Sequence, residues 1–294
     1  MTYLLFSILS STCIFLIFRL IDKRNIPTFP VIVINYLTAS AIGFLIYGNL
    51  GLQHLDFPRP FYFLAVIIGV LFIIMFFVVA KSSQKAGMAV TTIAGKMSMV
   101  FPIAFSLMYD PGDTISFIKL TGIMVALPGV LFTIYKKKEQ LPDLSLLYLP
   151  MILFVGMGVV DSLVKLAQFE YVSDRNLSLF TAILFGISAL CGVGISLTSK
   201  KRFLSLFKLN VLTWGILLGG VNFGSIYFLV RTLNFIHPQW GTIDSSVVFG
   251  INNIGILTLS VLLGVILFRE KLTRLNIAGI LICLIATIIL SYSA

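Results

Sequence analysis

Long apolar runs alternate with short polar breaks along the whole of this 294-residue chain. Each run is continuous over roughly 20 residues, the length that an α-helix needs to cross a hydrocarbon core of about 30 Å. The runs do not alternate apolar with polar positions, as the strands of a membrane barrel do. The pattern therefore predicts ten transmembrane helices, separated by glycines, prolines and charged clusters. Their predicted ranges are 3–20, 29–47, 60–80, 87–108, 116–135, 145–167, 177–198, 210–231, 244–267 and 275–293.

The composition of the chain agrees with a protein embedded in lipid. Hydrophobic residues make up 59% of the sequence and charged residues 11%, and the mean hydropathy is +1.06. This leaves too little polar surface to cover a water-soluble globule of this size. In hydrocarbon every backbone N–H and C=O must be satisfied internally, which a helix achieves within one segment. The predicted fold class is therefore an all-α integral membrane protein.

The net charge of +10 indicates membrane topology rather than a nucleic-acid partner. The basic residues lie in short loops between the apolar runs, and they form no groove-sized patch with interleaved polar contacts. Most of the 21 lysines and arginines fall in the odd-numbered loops, and cytoplasmic loops carry such an excess. We therefore expect a multi-pass protein of the cell (inner) membrane, with its odd-numbered loops in the cytoplasm and both termini outside.

Side chains typical of catalysis or metal binding are scarce. The two histidines, His54 and His237, fall in predicted loops, and the sequence contains neither an H-E-x-x-H motif nor a nucleotide-binding P-loop. The cysteines Cys13, Cys191 and Cys283 each lie within an apolar run, where a disulfide is not expected. The sequence therefore predicts a protein that is not an enzyme, with no catalytic residue, no metal site and no cofactor.

An internal repeat divides the ten predicted helices into two sets of five. Three shifts of the sequence align its second half with its first. The aligned pairs are Asp113 with Glu270, Gly122 with Gly279 and Tyr135 with Tyr292 at a shift of 157, Gly69 with Gly219 at 150, and Gly43 with Gly192 at 149. The changing shift indicates loops of different length in the two copies. We therefore predict two five-helix repeats, over residues 1–138 and 139–294.

The second repeat is expected to enter the membrane upside down, because five is an odd number of crossings. Equivalent loops of the two copies should then carry opposite charge. The loop after the first helix holds Arg19, Lys23 and Arg24, whereas its counterpart holds Glu170 and Asp174 beside one arginine. The charge pattern therefore favours an inverted repeat.

Short motifs at the ends of several predicted helices carry a family resemblance. Ala80-Lys81 ends the third predicted helix, and Pro102 lies in the fourth. The acidic turn Phe268-Arg269-Glu270-Lys271-Leu272-Thr273 leads to Gly279-Ile280 in the last helix. Together these motifs resemble the drug/metabolite transporter superfamily, in particular its ten-helix EamA-like permeases. The resemblance spans essentially the whole chain, and it implies a transporter whose cavity is lined mainly by the third, fourth, eighth and ninth helices, with the first and sixth.

Lys96 is the first candidate for substrate binding. It lies nine residues into the fourth predicted helix, near the bilayer midplane at a rise of about 1.5 Å per residue. A lysine there costs roughly 2.5–3.5 kcal/mol on insertion scales, so it indicates either a function or a paired carboxylate. The shift of 157 maps Lys96 onto Asn253 and Gly95 onto Asn252. We expect these polar positions to meet near the axis of the repeat, where a cation flanked by amides suits a carboxylate or phosphate.

Asp161, Asn222 and Tyr227 complete the candidate substrate contacts. Asp161 lies deep in the sixth predicted helix, where it can pair with Lys96, pair with Lys165 one turn later, or carry a proton during transport. Asn222 and Tyr227 lie in the eighth predicted helix, which the resemblance assigns to the cavity.

Other polar residues within or beside the apolar runs have a structural interpretation. Asn35 and Asn222 are each able to act as a hydrogen-bonding contact between helices. Lys165 aligns with Arg19 at a shift of 146, which indicates a repeated residue at a helix end. Asp244, near the start of the ninth predicted helix, is expected to act as its N-cap.

The leading functional hypothesis is a secondary transporter that works by alternating access. Its expected substrate is a small polar metabolite, such as an amino acid or another solute that carries a carboxylate or phosphate. Its other partners are membrane lipids, and we expect a monomer or a homodimer. One alternative is a non-transporting membrane subunit or receptor. Another is an intramembrane enzyme, which would need Asp161 and Asp244 to act as a catalytic dyad.

Overall fold

Helices account for most of the structure, a computed structural model that describes residues 2–49, 57–85, 95, 98, 100–109, 116–134, 148–237, 241–268 and 274–291. The helices are α1 (Thr2–Lys23), α2 (Thr28–Asn49), α3 (Arg59–Lys85), α4 (Val100–Tyr109), α5 (Phe117–Ile134), α6 (Tyr148–Tyr171), α7 (Leu177–Leu197), α8 (Lys200–Ser205), α9 (Leu209–Leu233), α10 (Ser245–Phe268) and α11 (Arg274–Ser291). The strands β1 (Ile236–His237) and β2 (Gly241–Thr242) pair antiparallel.

Six helices in the described part of the chain are long and apolar enough to cross a membrane. They are Thr2–Lys23, Thr28–Gly48, Arg59–Val79, Met151–Tyr171, Leu177–Leu197 and Leu209–Leu233. Shorter apolar helical stretches run over Leu120–Gly129, Ser245–Ser260 and Ile277–Ala286. The protein is therefore of the all-α membrane type that the sequence predicts. The number of ten crossings stays a prediction, since much of the fourth predicted helix, 87–108, lies outside the described residues.

The apolar pattern did not predict two short elements. Helix α8 spans only six residues and begins with three basic ones, so it forms no apolar run. The β1–β2 pair is two residues long on each side and lies in a predicted loop. Two helix ends also differ from the prediction. Helix α3 continues to Lys85 where the pattern predicts an end at 80, and α6 continues to Tyr171 where it predicts an end at 167.

The chain divides into two compact units, each of which contains residues from both halves of the sequence. The first unit consists of Met1–Phe77 and Leu166–Asn234, and the second of Val78–Lys165 and Phe235–Ala294. The predicted boundary between repeats, at 138/139, lies outside the described residues. The division into repeats therefore stays a prediction.

Helix α2 is the centre of the first unit. It packs along both α7 and α9, and α9 also packs along α1. Side chains on several faces of α2 are fully buried, including Val31, Val33 and Tyr36. A helix that is apolar all round suits this surrounded position. One cluster of buried hydrophobic residues here contains Ile17, Ile21, Ile26, Val31, Val33, Ile34, Leu206, Val211 and Leu218.

Two glycines allow α2 and α7 to approach closely. A Cβ atom added at Gly43 of α2 would lie 2.8 Å from the Cβ of Ala182 in α7. A Cβ atom added at Gly192 of α7 would lie 2.9 Å from Cγ2 of Val33 in α2. Small residues at such crossings let helix backbones approach, which is how membrane helices gain packing energy.

The contact between α3 and α7 also depends on a glycine. A Cβ atom at Gly69 of α3 would lie 2.7 Å from the Cβ of Ile187 and 3.1 Å from the backbone oxygen of Leu184. The hydroxyl of Ser188 donates a 2.9 Å hydrogen bond to the Gly69 backbone oxygen. The two helix backbones therefore lie close together at Gly69.

A fourth glycine has the same role between α2 and α9. A Cβ atom at Gly219 of α9 would lie 2.5 Å from the Cβ of Thr38 and 2.7 Å from the backbone oxygen of Asn35. These distances are shorter than real Cβ contacts, so only glycine fits at Gly219 without a shift of one helix.

Several helix–helix contacts organise the second unit. Helix α5 packs along α11 over an extensive contact, and α10 packs against α4, α5 and α11. Helices α4 and α6 also meet, because a Cβ atom at Gly158 of α6 would overlap the ring of Phe101. The rings of Phe101 and Phe154 lie 5.1 Å apart in an edge-to-face contact.

Candidate functional site

A buried ammonium group lies in the second unit. Lys165 of α6 is 2% exposed, and it is the only charged side chain among the buried residues of the described chain. Its Nζ donates a 2.5 Å hydrogen bond to Oγ of Ser245, the first residue of α10. A buried cation is costly unless it is hydrogen-bonded and paired. Lys165 therefore marks a candidate site.

The start of α10 adds to the polarity of this site. The backbone oxygen of Asp244 accepts hydrogen bonds from the amides of Val247 and Val248, at 3.0 and 3.1 Å. Asp244 therefore occupies the N-cap position, as the sequence predicts. Ser245 and Ser246 are both buried behind it. The N-terminal end of a helix carries partial positive charge. The start of α10 and the Lys165 ammonium therefore both favour binding of a negatively charged group.

Asp161 belongs to the same part of the second unit. It is half-buried in α6 and lies one helical turn before Lys165, so both side chains project from the same face of the helix. The site therefore contains the Lys165 ammonium and the Ser245 hydroxyl in contact, with the Asp161 carboxylate one helical turn before Lys165. The role of Asp161 as a substrate contact stays a prediction.

The predicted contacts Asn252 and Asn253 lie further along α10. Asn252 is buried, and Nδ2 of half-buried Asn253 donates a 3.1 Å hydrogen bond to the backbone oxygen of Phe249. Both lie about two helical turns after Ser245. Lys96 lies outside the described residues. The expected meeting of Lys96 with these amides therefore stays a prediction.

Two buried asparagines lie in the described part of the first unit. Asn35 of α2 is fully buried, and in the described structure neither its amide nitrogen nor its amide oxygen has a hydrogen-bond partner. Asn222 of α9 is 5% exposed, and its Nδ2 atom also has no partner among the described residues. Buried polar groups are normally satisfied, so each of these atoms calls for an explanation.

Tyr227, the other predicted contact on α9, contacts the side chain of Arg231 near the end of that helix. Nη1 of Arg231 donates a 2.9 Å hydrogen bond to the Tyr227 hydroxyl. The Arg231 guanidinium also lies 4.7 Å from the ring centroid of Tyr3 in α1. The Tyr227 ring stacks on Phe223, with 5.2 Å between centroids. The two tyrosines hold the guanidinium through a hydrogen bond and a cation–π contact.

The predicted residues thus fall into two groups. Asp161, Asn252 and Asn253 belong to the second unit, and Asn222 and Tyr227 belong to the first. The apolar pattern gave Lys165 only a structural interpretation, because it ended the sixth helix two residues after Lys165. In the structure α6 continues for six residues beyond Lys165. This longer helix could have been predicted from the sequence, because no glycine or proline interrupts Leu166-Ala167-Gln168-Phe169.

Metal-binding side chains do not cluster in the described ranges. Among them there is no group of three or more histidine, cysteine, aspartate or glutamate residues placed to hold a metal ion.

Comparisons with known proteins identify similar chains. The chain matches no family model. An uncharacterized protein of Haemophilus influenzae is 28% identical over 306 aligned residues, which cover 98% of this chain and 97% of that protein. A protein of known crystal structure superposes with a TM-score of 0.70 at 14% identity, over 100% of this chain and 99% of that one. This likeness shows that the chain has a fold already seen in a crystal structure.

Proposed function

We propose that this chain is a secondary transporter that moves a small polar metabolite across the cell (inner) membrane by alternating access. In this proposal its ten helices form two inverted five-helix repeats, the architecture of the drug/metabolite transporter superfamily that its motifs resemble. Transporters of this kind rock two inverted halves about a polar site within the membrane. The observation that carries the proposal is a set of reciprocal contacts between the two halves of the chain.

The first reciprocal contacts lie between α2 and α7. The shift of 149 residues that aligns Gly43 with Gly192 also aligns Val33 with Ala182. Gly43 approaches Ala182, and Gly192 approaches Val33. Suppose that residue i of the first copy contacts residue j of the second, and that residue j of the first copy contacts residue i of the second. Two copies with such reciprocal contacts are related by a twofold axis. The contacts therefore support a pseudo-twofold relation between the repeats.

A second set of contacts obeys the same rule with different helices. Gly69 aligns with Gly219 at a shift of 150, and Thr38 aligns with Ile187 at a shift of 149. Gly69 approaches Ile187, and Gly219 approaches Thr38. The contact between α3 and α7 thus mirrors the contact between α9 and α2. In the second unit α5 packs along α11, which is its predicted equivalent.

The direction of the contacts favours inversion over simple duplication. Along α2 the contacts run from Val33 to Gly43, whereas along α7 they run from Gly192 back to Ala182. Helices α2 and α7 are therefore antiparallel. Equivalent helices of an inverted repeat must run in opposite directions, while those of a parallel duplication run in the same direction.

The proposed substrate carries a carboxylate or a phosphate, as an amino acid or an organic acid does. Lys165 supports this choice, because a buried ammonium binds such a group through strong charge-assisted hydrogen bonds. An ionisable residue within the membrane also indicates a substrate or ion pathway. The proposed contacts are Lys96, Asp161, Asn222, Tyr227, Asn252 and Asn253, to which we add Lys165.

The test is solute uptake by proteoliposomes that contain the purified chain and are preloaded with a metabolite extract. We expect exchange of at least one carboxylate or phosphate solute above the level of protein-free vesicles. If no solute in the extract exceeds that level, the transporter proposal fails.

Three variants assign the binding role once a solute is found. Lys165→Met removes the charge but keeps the length of the side chain, and it should abolish exchange. Lys208→Met removes an exposed cation before α9, and exchange should be unchanged. Unchanged exchange by Lys96→Ala would make Lys96 a structural residue.

A further inference from the structure

The crossing of α2 and α9 contains Asn35, whose amide has no hydrogen-bond partner in the described structure, and Asn222, whose Nδ2 atom has none. Gly219 approaches the backbone oxygen of Asn35, and Gly215 approaches Ile34. Residue numbers rise together along the two helices, so α2 and α9 run parallel. Asn222 follows Gly219 by three residues and lies on the same face of α9. The two asparagines therefore occupy the same crossing, about one helical turn apart along its length.

The equivalent crossing of α3 and α7 has the same geometry but no amides. Shifts of 149 and 150 align Asn35 with Leu184 and Asn222 with Phe72. Gly69 approaches the backbone oxygen of Leu184 just as Gly219 approaches that of Asn35. Leu184 and Phe72 are both buried and apolar. A crossing of this shape is therefore built without asparagine, and packing alone does not explain the two amides.

The chemistry of the amides defines what they can bind. Asn35 offers two N–H donors and an acceptor oxygen without partners, and Asn222 offers its amide donors. No charged side chain is buried in the described residues of this unit, because the one buried charge, Lys165, belongs to the other unit. A neutral ligand that both donates and accepts hydrogen bonds suits these groups better than an ion does.

We infer that Asn35 and Asn222 form a binding site for a neutral hydrogen-bonding group, supplied either by a bound water molecule or by the hydroxyl or amide of a solute. The site uses residues of the first unit alone, and it does not require the chain to be a transporter. Buried waters in proteins commonly satisfy polar groups of this kind.

The test is a double-mutant cycle on the purified full-length chain in lipid nanodiscs, read as the melting temperature Tm. Asn35→Leu and Asn222→Leu replace each amide with an apolar side chain of similar size. If a bound group makes hydrogen bonds to both amides, each single variant leaves the remaining amide without its normal hydrogen bonds and lowers Tm. The double variant then loses clearly less than the sum of the two single losses.

The opposite result overturns the inference. If the amides hold nothing, each substitution removes an unsatisfied buried group, so each single variant raises Tm and the two gains add. Additive losses overturn it as well, because they leave no coupling between the two positions.

Leu184→Asn is the matched control, since it places one amide in the equivalent apolar crossing. This amide has no prepared partner, so we expect a lower Tm. An unchanged Tm would mean that these crossings accept an orphaned amide at no cost, and the inference would then fail.

A ligand titration distinguishes the two sources of the bound group. Glycerol, glucose and acetamide are added separately to the unmodified chain and to the double variant. A rise in Tm that only the unmodified chain displays identifies a solute. Coupling in the mutant cycle without such a rise identifies a bound water. The mutant cycle and the ligand titration both measure Tm and not transport. A negative transport assay therefore leaves the inference about the two asparagines unaffected.

Discussion

Lys165 and Ser245 are 80 residues apart in the sequence, yet a 2.5 Å hydrogen bond joins Nζ of the first to Oγ of the second. Both side chains are buried. The bond connects the C-terminal third of α6 to the first residue of α10. Because the ammonium is removed from water, the serine hydroxyl supplies part of the solvation that the charge would otherwise lose.

The first prediction follows from this bond. Ser245→Ala removes an acceptor of a buried ammonium, so the free energy of unfolding should fall by about 1–3 kcal/mol. Denaturant titration of the protein in detergent micelles measures this loss. Thr213→Ala, at an exposed position of α9, is the control and should have little effect. Equal stability of Ser245→Ala and the unmodified chain would mean that the bond does not contribute to the fold.

The second prediction concerns two adjacent glycines of α9. Gly219→Ala places a Cβ atom 2.5 Å from the Cβ of Thr38, whereas a Cβ atom at Gly220 meets nothing within 4 Å. Overpacking at Gly219 should lower the free energy of unfolding by about 1–3 kcal/mol. Gly220→Ala should be neutral, or should stabilise by up to about 1 kcal/mol through helix propensity. Equal effects of the two substitutions would contradict the close approach of α9 to α2.

The third prediction tests the packing of Gly69, which the proposed inverted repeat makes equivalent to Gly219. Gly69→Ala places a Cβ atom 2.7 Å from the Cβ of Ile187. It should therefore cost about as much as Gly219→Ala, roughly 1–3 kcal/mol. Thermal unfolding of both variants in one lipid provides the comparison. Gly48→Ala, where a Cβ atom meets nothing within 4 Å, is the control. A loss at only one of the two equivalent glycines would argue against equivalent packing in the repeats.

Much of the fold could be predicted from the lengths of the apolar runs. A membrane helix must satisfy its own backbone, so run length alone predicts where helices lie. The run at 177–198 became α7 (Leu177–Leu197) with boundaries correct to one residue. Partner choice could not be predicted in this way. The apolar residues of α2 are distributed around the helix without a preferred side, so periodicity does not identify the face that contacts α7 or α9.

The candidate site was harder to predict, because burial depends on neighbours from distant parts of the chain. Lys165 resembles a residue at a helix end in the sequence, and its burial depends on α10. Asn35 and Asn222 are polar positions within apolar runs, which in membranes usually act as contacts between helices. Only the structure shows that the Asn35 amide and the Nδ2 atom of Asn222 have no hydrogen-bond partner among the described residues and lie at one helix crossing. The glycines were more informative, since Gly69 and Gly219, which were aligned only as evidence of a repeat, both prove to lie at close helix contacts.

The fourth prediction concerns the cation held between two tyrosines. Tyr227→Phe keeps the ring that stacks on Phe223 but removes the hydroxyl that accepts from Arg231. The free energy of unfolding should fall by about 0.5–1.5 kcal/mol, the net value of one hydrogen bond. Tyr62→Phe, at an exposed position of α3, is the control and should cost less. A loss at Tyr227 no larger than that at Tyr62 would mean that the Arg231 bond is energetically neutral.

The fifth prediction concerns sidedness and uses α7, whose ends lie in exposed loops. Thr198 precedes the basic stretch around α8, and Ser173 lies beyond the other end of α7. Because cytoplasmic loops are rich in lysine and arginine, Thr198→Cys should react with a membrane-impermeant maleimide only after cells are permeabilised. Ser173→Cys should react in intact cells.

The labelling background is the full-length chain with its three native cysteines replaced by alanine. Two distinct outcomes contradict two distinct parts of the prediction. Labelling of both positions in intact cells contradicts a crossing by α7, since one crossing must separate its two ends. Reversed labelling leaves the crossing intact but inverts the orientation. In that case the basic residues near α8 face outward, and the positive-inside rule does not set the topology of this chain.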